Sequence, residues 1–275
     1  ILRTLFLWQR DKAPLQVVRR AVNLPWTQLD WQGCNNVESK LKEWLHTDRM
    51  QGFAPDQAPL MRCTLIQTGA DTWSFVWTQH HLVGDGWSMP IILQELLQRY
   101  YAICKGQKLA LPASRPYRDY ILWLRRQDRQ LAETFWHSQL QRFTAPTPFN
   151  VDQRISTRGT TAASYAKRHV TLPASLSTAL ANLARTQQLT LNTLTQGAWA
   201  LLLGHYSGND EVLFGTIVAG RPPALSGVEQ MVGLFINTLP VGVTIPGDQP
   251  LLPWLHALQQ PHSTLERYCT RHATF

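Results

Sequence analysis

This 275-residue chain has no long apolar run: the densest, Trp199 to Leu203, falls far short of the about 18 residues that a membrane-spanning helix needs. Cysteine is scarce. Cys34, Cys63, Cys104 and Cys269 stand far apart without paired ligand spacing, which argues against a disulfide framework or a metal site and for the reduced thiols of a cytoplasmic protein. Acidic residues are outnumbered, 18 against 26 Lys and Arg, for a formal charge of +8. That excess is scattered. Only Arg125-Arg126 with Arg129, and Lys167-Arg168, form small groups, and neither sits in a nucleic-acid module. A solvated basic face is therefore expected, with no nucleic-acid partner; a partner with an acidic surface is the alternative, since complementary charge speeds encounter. Low-complexity tracts and repeats at solenoid spacing are absent.

What is present is globular: 44% hydrophobic and 16% charged residues, enough to bury a large core in one big domain or two subdomains. Ile1 to Trp8 and Leu15 to Asn23 read as strands around the turn Asp11-Lys12-Ala13-Pro14. Val37 to Trp44 has helical spacing with Asn35 or Asn36 as cap, and Leu60 to Ile66 and Thr72 to Thr78 alternate as a strand pair. Ser88 caps a predicted helix to Tyr101, and a second helix is predicted over 117–140, with Trp123 and Trp136 in the core. Thr144-Ala145-Pro146-Thr147-Pro148 marks the expected boundary, giving domains 1–145 and 146–275. Beyond it come a strand at 164–172, helices at 173–188 and 191–205, strands at 212–218 and 235–243, and a helix at 252–271. The chain opens inside a strand-like run and stops inside a helix-like one, so it is expected to be an internal piece of a longer protein.

The segment His80-His81-Leu82-Val83-Gly84-Asp85-Gly86-Trp87-Ser88 follows the apolar run Trp73 to Thr78. It brings a base and a candidate buried acid to one tight turn. That suits acyl transfer to an amine or hydroxyl, because an imidazole titrates near neutral pH and can take or position a proton on the attacking group. Adjacent strand residues point to opposite faces, so the two rings cannot address one side if the strand persists to His81. Gly86 lets the chain pass closely.

Four motifs in order resemble those of a nonribosomal peptide synthetase condensation domain. Leu2-Arg3-Thr4-Leu5-Phe6 looks like the end of the Arg-His-Glu-x-Leu-Arg-Thr-x-Phe motif, and His80 to Ser88 matches the family signature. Tyr117-Arg118-Asp119-Tyr120-Ile121-Leu122-Trp123 resembles Tyr-x-Asp-Phe-x-x-Trp, and Val232-Gly233-Leu234-Phe235-Ile236-Asn237-Thr238 resembles Val-Gly-x-Phe-Val-Asn-Thr. The resemblance implies an α/β fold, an α+β sandwich of two chloramphenicol acetyltransferase-like lobes in a V, the second incomplete. It implies amide formation between an upstream carrier-bound acyl or peptidyl thioester and a downstream carrier-bound α-amine. The implied partners are the two peptidyl carrier domains and an adjacent adenylation domain, with no membrane. The phosphopantetheine arms belong to the carriers, so no cofactor is expected on this chain.

By the same resemblance His81 is the catalytic histidine and Asp85 pairs with Arg3. A carboxylate held by a guanidinium fixes the turn, and loss of one partner costs about 3–5 kcal/mol. His80 is read as structural. Gly86 either offers its N–H to an oxyanion or is a plain turn glycine; Asn237 either lines the substrate tunnel or is a structural asparagine. Gly220-Arg221-Pro222-Pro223 is read as a loop without assignable chemistry. The Arg-His-Glu start and the later motifs are missing, and Leu265-Glu266-Arg267-Tyr268 matches one of these poorly. Among relatives, an epimerization domain ends its signature in Ser-Trp-Arg where this chain has Trp87-Ser88. A coenzyme A-dependent acyltransferase fits the other three motifs less well. A non-catalytic recruitment module generally loses the second histidine, which is intact here, and heterocyclization domains replace the histidines with aspartate-rich pairs.

Overall fold

A computed structural model describes residues 1–8, 14–149 and 168–260. β1 (Thr4–Leu7) pairs antiparallel with β2 (Leu15–Val18). β3 (Trp26–Asp30) runs parallel to β4 (Met61–Gln67), and β5 (Trp73–Gln79) lies antiparallel on the other side of β4. Parallel neighbours need a crossover, and the one between β3 and β4 carries α1 (Val37–Gln51). Asn36 starts α1 by accepting the Ser39 N–H at 3.0 Å, and Gly52 stops it at φ +60°, where a side chain would be strained. Nothing in the sequence marks β3 as a strand. Trp26, Thr27, Gln28 and Asp30 are all exposed, so it carries no apolar–polar alternation to read.

α2 (Ser88–Cys104), α3 (Arg118–Arg125) and α4 (Arg129–Leu140) follow. The single helix predicted over 117–140 is broken between α3 and α4. Asp128 turns its carboxylate onto the N–H groups of Gln130 and Leu131, at 2.9 and 3.3 Å, and so begins a new helix. The break also divides two compact units: Ile1–Arg126 with Arg221–Ile236, and Gln127–Gly220 with Asn237–Phe275. The Pro-rich stretch at 144–148 suggests a later boundary, and no boundary read linearly along a sequence anticipates that 221–236 returns to the first unit.

The second unit holds α4, α5 (Ala174–Thr186), α6 (Leu191–Ser207), the antiparallel pair β6 (Glu211–Val218) and β7 (Asn237–Thr244), and α7 (Leu251–Gln259). Leu239, Val241 and Val243 alternate along β7 and bury one face, against Ala200 and Leu203 of α6 and Trp254, Leu255 and Leu258 of α7. Gly242, between two of them, faces the Phe143 ring so closely that a Cβ would stand 2.2 Å from it. The strand expected at 235–243 starts only at Asn237. Of the strand expected at 164–172, residues 168–172 form none, and 164–167 lie outside the described residues. Asp11-Lys12-Ala13, Cys269, Leu265-Glu266-Arg267-Tyr268 and the expected helix beyond Gln260 also lie outside them.

The class is mixed α/β, as expected. Among the described residues no helix is long and apolar enough to cross a membrane, no cluster of His, Cys, Asp and Glu is disposed to hold a metal ion, and Cys34, Cys63 and Cys104 are free.

Gly242→Ala is expected to lower stability by about 1–3 kcal/mol through overpacking against Phe143. Gly247→Ala, where a Cβ meets no atom within 4 Å, is expected to change it by less than about 0.5 kcal/mol, both variants being read by urea titration against the native chain.

Candidate functional site

β5 ends at Gln79, and the next residues form a 3₁₀ turn, His81–Val83, before α2 begins at Ser88. Within this connection Asp85 is the fixed point. Its Oδ1 accepts the Ser88 N–H at 3.0 Å and lies 2.9 Å from the Ser88 hydroxyl and 3.4 Å from Nη2 of Arg221; its Oδ2 accepts the Phe235 N–H at 3.0 Å. The carboxylate is wholly buried and the arginine side chain 8% exposed. Burial alone pushes the Asp85 carboxyl up. The Phe235 N–H, the Ser88 hydroxyl, the Arg221 guanidinium and the Ser88 N–H together outweigh it, and the group ends below the usual carboxylate range.

The expected partner of Asp85 was Arg3, and here the structure corrects the sequence. Arg3 is exposed and donates to the backbone carbonyl of Arg20 across the β1–β2 hairpin. Asp85 is met instead by Arg221. The loop 220–231 carries Leu225, Val228 and Met231 into the core beside Phe235, and a guanidinium travelling with those residues must find an anion. Arg221 Nη1 donates to the carbonyls of Val228 and Met231, the latter at 2.9 Å, and its Cζ lies 4.0 Å from the Phe235 ring centroid. In sequence Arg221 is the one arginine of this loop, and no local signal singles it out over Arg3 as the partner.

Ser88 is the first residue of α2 and does not cap it. Its hydroxyl accepts the Gly233 N–H at 3.0 Å and has the Gly233 carbonyl at 2.9 Å, while Asp85 takes over the free helix N–H. Gly233 can hold no side chain, because a Cβ would stand 2.1 Å from the Tyr117 ring. Tyr117 packs edge-on to Phe235, with centroids 5.1 Å apart, and donates its hydroxyl to the Leu234 carbonyl. Burial pushes the Tyr117 phenol up, so it stays a donor. Tyr120 joins them, its ring centroid 4.6 Å from that of Phe235 and 5.5 Å from that of Tyr117. Three of the four sequence motifs thus interlock in the first unit around one carboxylate.

His80 is half-buried, and its Nδ1 accepts the Leu82 N–H at 3.1 Å, capping the 3₁₀ turn. The strand stops before either histidine, so the alternation argument does not govern them. His81 is exposed, and among the described residues its imidazole has no hydrogen-bonding or charged partner. Gly86 is exposed and a Cβ there would meet nothing within 4 Å, so packing does not require glycine at this position. Asn237 belongs to the second unit, at the start of β7, where its Oδ1 accepts the Thr238 N–H at 2.9 Å.

The family model for condensation domains matches residues 1–269. A linear gramicidin synthase polypeptide of Brevibacillus parabrevis is 42% identical over 270 residues, 98% of this chain but 5% of that protein. The first condensation domain of the calcium-dependent antibiotic synthetase, solved in complex with a substrate analogue, matches with a TM-score of 0.78 at 18% identity, over 98% of this chain and 62% of that one. The epimerization domain from the third module of tyrocidine synthetase B matches with a TM-score of 0.73 at 18% identity, over 100% of this chain and 63% of that one. These structural likenesses give the fold, chloramphenicol acetyltransferase-like, and do not separate condensation from epimerization.

Because the folded pKa of Asp85 is depressed, its contribution is present above the ordinary carboxylate range and is lost as pH falls through the folded value. Asp85→Asn is expected to be less stable than the native chain by about 3 kcal/mol at pH 7, with the gap narrowing below pH ~4. Urea titrations from pH 7 to pH 3 check this, and a constant gap would contradict it. Arg3→Ala is expected to stay within about 0.5 kcal/mol of the native chain.

Proposed function

Because this chain belongs to the condensation-domain family, we propose that it forms an amide between two carrier-bound substrates. An acyl or peptidyl group arrives as a thioester on the phosphopantetheine arm of an upstream carrier domain, and an aminoacyl group on that of a downstream one. The α-amine attacks the thioester carbonyl, a C–N bond forms, and the C–S bond breaks as the tetrahedral intermediate collapses. Overall the amine loses one proton and the departing sulfur gains one. The imidazole of His81 is the group proposed to carry or orient that proton. The observation that supports this role is an exposed imidazole, without a competing partner among the described residues, on a turn whose frame is buried and clamped.

A thioester is already reactive, so holding two tethered reactants in register can supply ~7 kcal/mol or more of barrier reduction. Gly86 is proposed to leave room for the thioester carbonyl and to offer its N–H to the oxyanion, a role compatible with its exposure. Asn237 is proposed to hydrogen-bond amides of the substrate or the pantetheine arm. The arms belong to the carriers, so on this reading the chain holds no cofactor of its own. An adjacent adenylation domain supplies the activated amino acid, and the assembly works in the cytoplasm.

With an acylated upstream carrier and an aminoacylated downstream one, mass spectrometry is expected to show a dipeptidyl carrier. His81→Ala is expected to slow its formation by about 10²-fold or more while leaving the urea midpoint close to that of the native chain. Inversion at the α-carbon without chain growth would overturn the proposal in favour of epimerization. Carrier binding without any product would overturn it in favour of a recruitment module.

A further inference from the structure

A second clamp grips the other end of the histidine turn, and none of the four motifs covers it. Asp48, in the last turn of α1, is buried; its Oδ1 accepts Nε of Arg62 at 2.5 Å and its Oδ2 accepts the Thr78 hydroxyl at 2.7 Å. Arg62 and Thr78 are cross-strand partners on β4 and β5. One carboxylate therefore ties the two strands together directly before β5 ends at Gln79. Arg62 also donates to the backbone carbonyls of Asp48 and, at 2.8 Å, of Gly52, both at the C-terminal end of α1 where acceptors lack helical partners.

With all three of its nitrogens engaged, the Arg62 guanidinium is held in one plane. Its Cζ lies 4.4 Å from the Phe53 ring centroid. Phe53 in turn meets His80 edge-on, with centroids 6.4 Å apart and planes at 78°. The His80 backbone N–H is fixed by the Leu60 carbonyl at 2.9 Å. What remains free in His80 is rotation of its side chain, and Phe53 is the ring packed against it. The bond from the Leu82 N–H to Nδ1 requires that nitrogen to be unprotonated, which puts the neutral ring's proton on Nε2.

We propose that Phe53, held by Arg62, is a positioning residue. It keeps the His80 ring in the orientation in which Nδ1 caps the 3₁₀ turn, and thereby sets where the following residue, His81, presents its imidazole. The far end of the turn uses the same device. There Arg221 stands over Phe235 beside Asp85, as Arg62 stands over Phe53 beside Asp48. The kinetic consequence rests on the role proposed for His81; the effect on the His80 ring does not.

The test is made on this chain or on any longer protein that carries it. Phe53→Leu keeps apolar bulk without a ring, and Phe53→Tyr keeps the ring. Long-range nitrogen–proton spectra of the imidazoles report the His80 tautomer. The native chain and Phe53→Tyr are expected to show His80 protonated on Nε2 alone, and Phe53→Leu an average of both tautomers. Phe53→Leu is further expected to lower kcat for amide formation about tenfold or more, with KM within about twofold, because a small misplacement of a catalytic group is costly. A folded Phe53→Leu whose His80 spectrum is unchanged overturns the proposal, whatever its kcat. Should Phe53→Leu fail to fold, Arg62→Lys, which loses the planar fork over the ring, is read by the same spectra. If the native chain forms no amide, the proposed function falls, and the nitrogen spectra alone decide the positioning role.

Discussion

One buried carboxylate dictates the architecture of the first unit. Asp85 has no solvent to hold its charge, so its acceptor sites must be met by protein donors or the folded state would favour the protonated group. The donors come from three separate stretches: Ser88 at the start of α2, Arg221 in the loop after β6, and the Phe235 N–H. Each donor imposes a further demand. Ser88 reaches Gly233, Gly233 leaves room for the Tyr117 ring, and Tyr117 packs on Phe235, the residue whose N–H returns to the carboxylate. The loop closes on itself, and this explains why residues far apart in sequence read as one family signature.

His81 gains its character from that closure. Its own side chain is exposed and unengaged among the described residues, while the turn beneath it is fixed from both sides. Asp85 grips the helix end, and the Asp48–Arg62–Phe53 assembly packs against His80 at the strand end. A group meant to act on reactants delivered from elsewhere benefits from this division, in which buried polar partners hold the frame and leave the working atom open.

The sequence made much of this legible. The doubled histidine with Asp85 and Gly86 located the turn without any structure, and the motifs around Tyr117 and Phe235 named residues that the fold brings together in the first unit. Local chemistry alone placed the cap of α1 at Asn35 or Asn36, and the structure selects Asn36. What escaped was long-range. Arg3 and Arg221 are equally plausible partners for Asp85 on charge alone, and only the path of the 221–236 segment back into the first unit selects between them. Asp48 and Arg62 look in sequence like ordinary surface charges on a helix and a strand, and their burial depends on the close of α1 against β4 and β5. The 117–140 helix was overextended because hydrophobic spacing runs through Asp128, whose side chain prefers to cap rather than to continue.

The most direct measurement of the central claim is a double-mutant cycle for stability on Asp85→Asn and Arg221→Met at pH 7. If the carboxylate and the guanidinium hold the turn together, the two changes are expected to be non-additive, with a coupling energy of at least about 1.5 kcal/mol. Effects that add to within about 0.5 kcal/mol would contradict the pairing on which the rest depends.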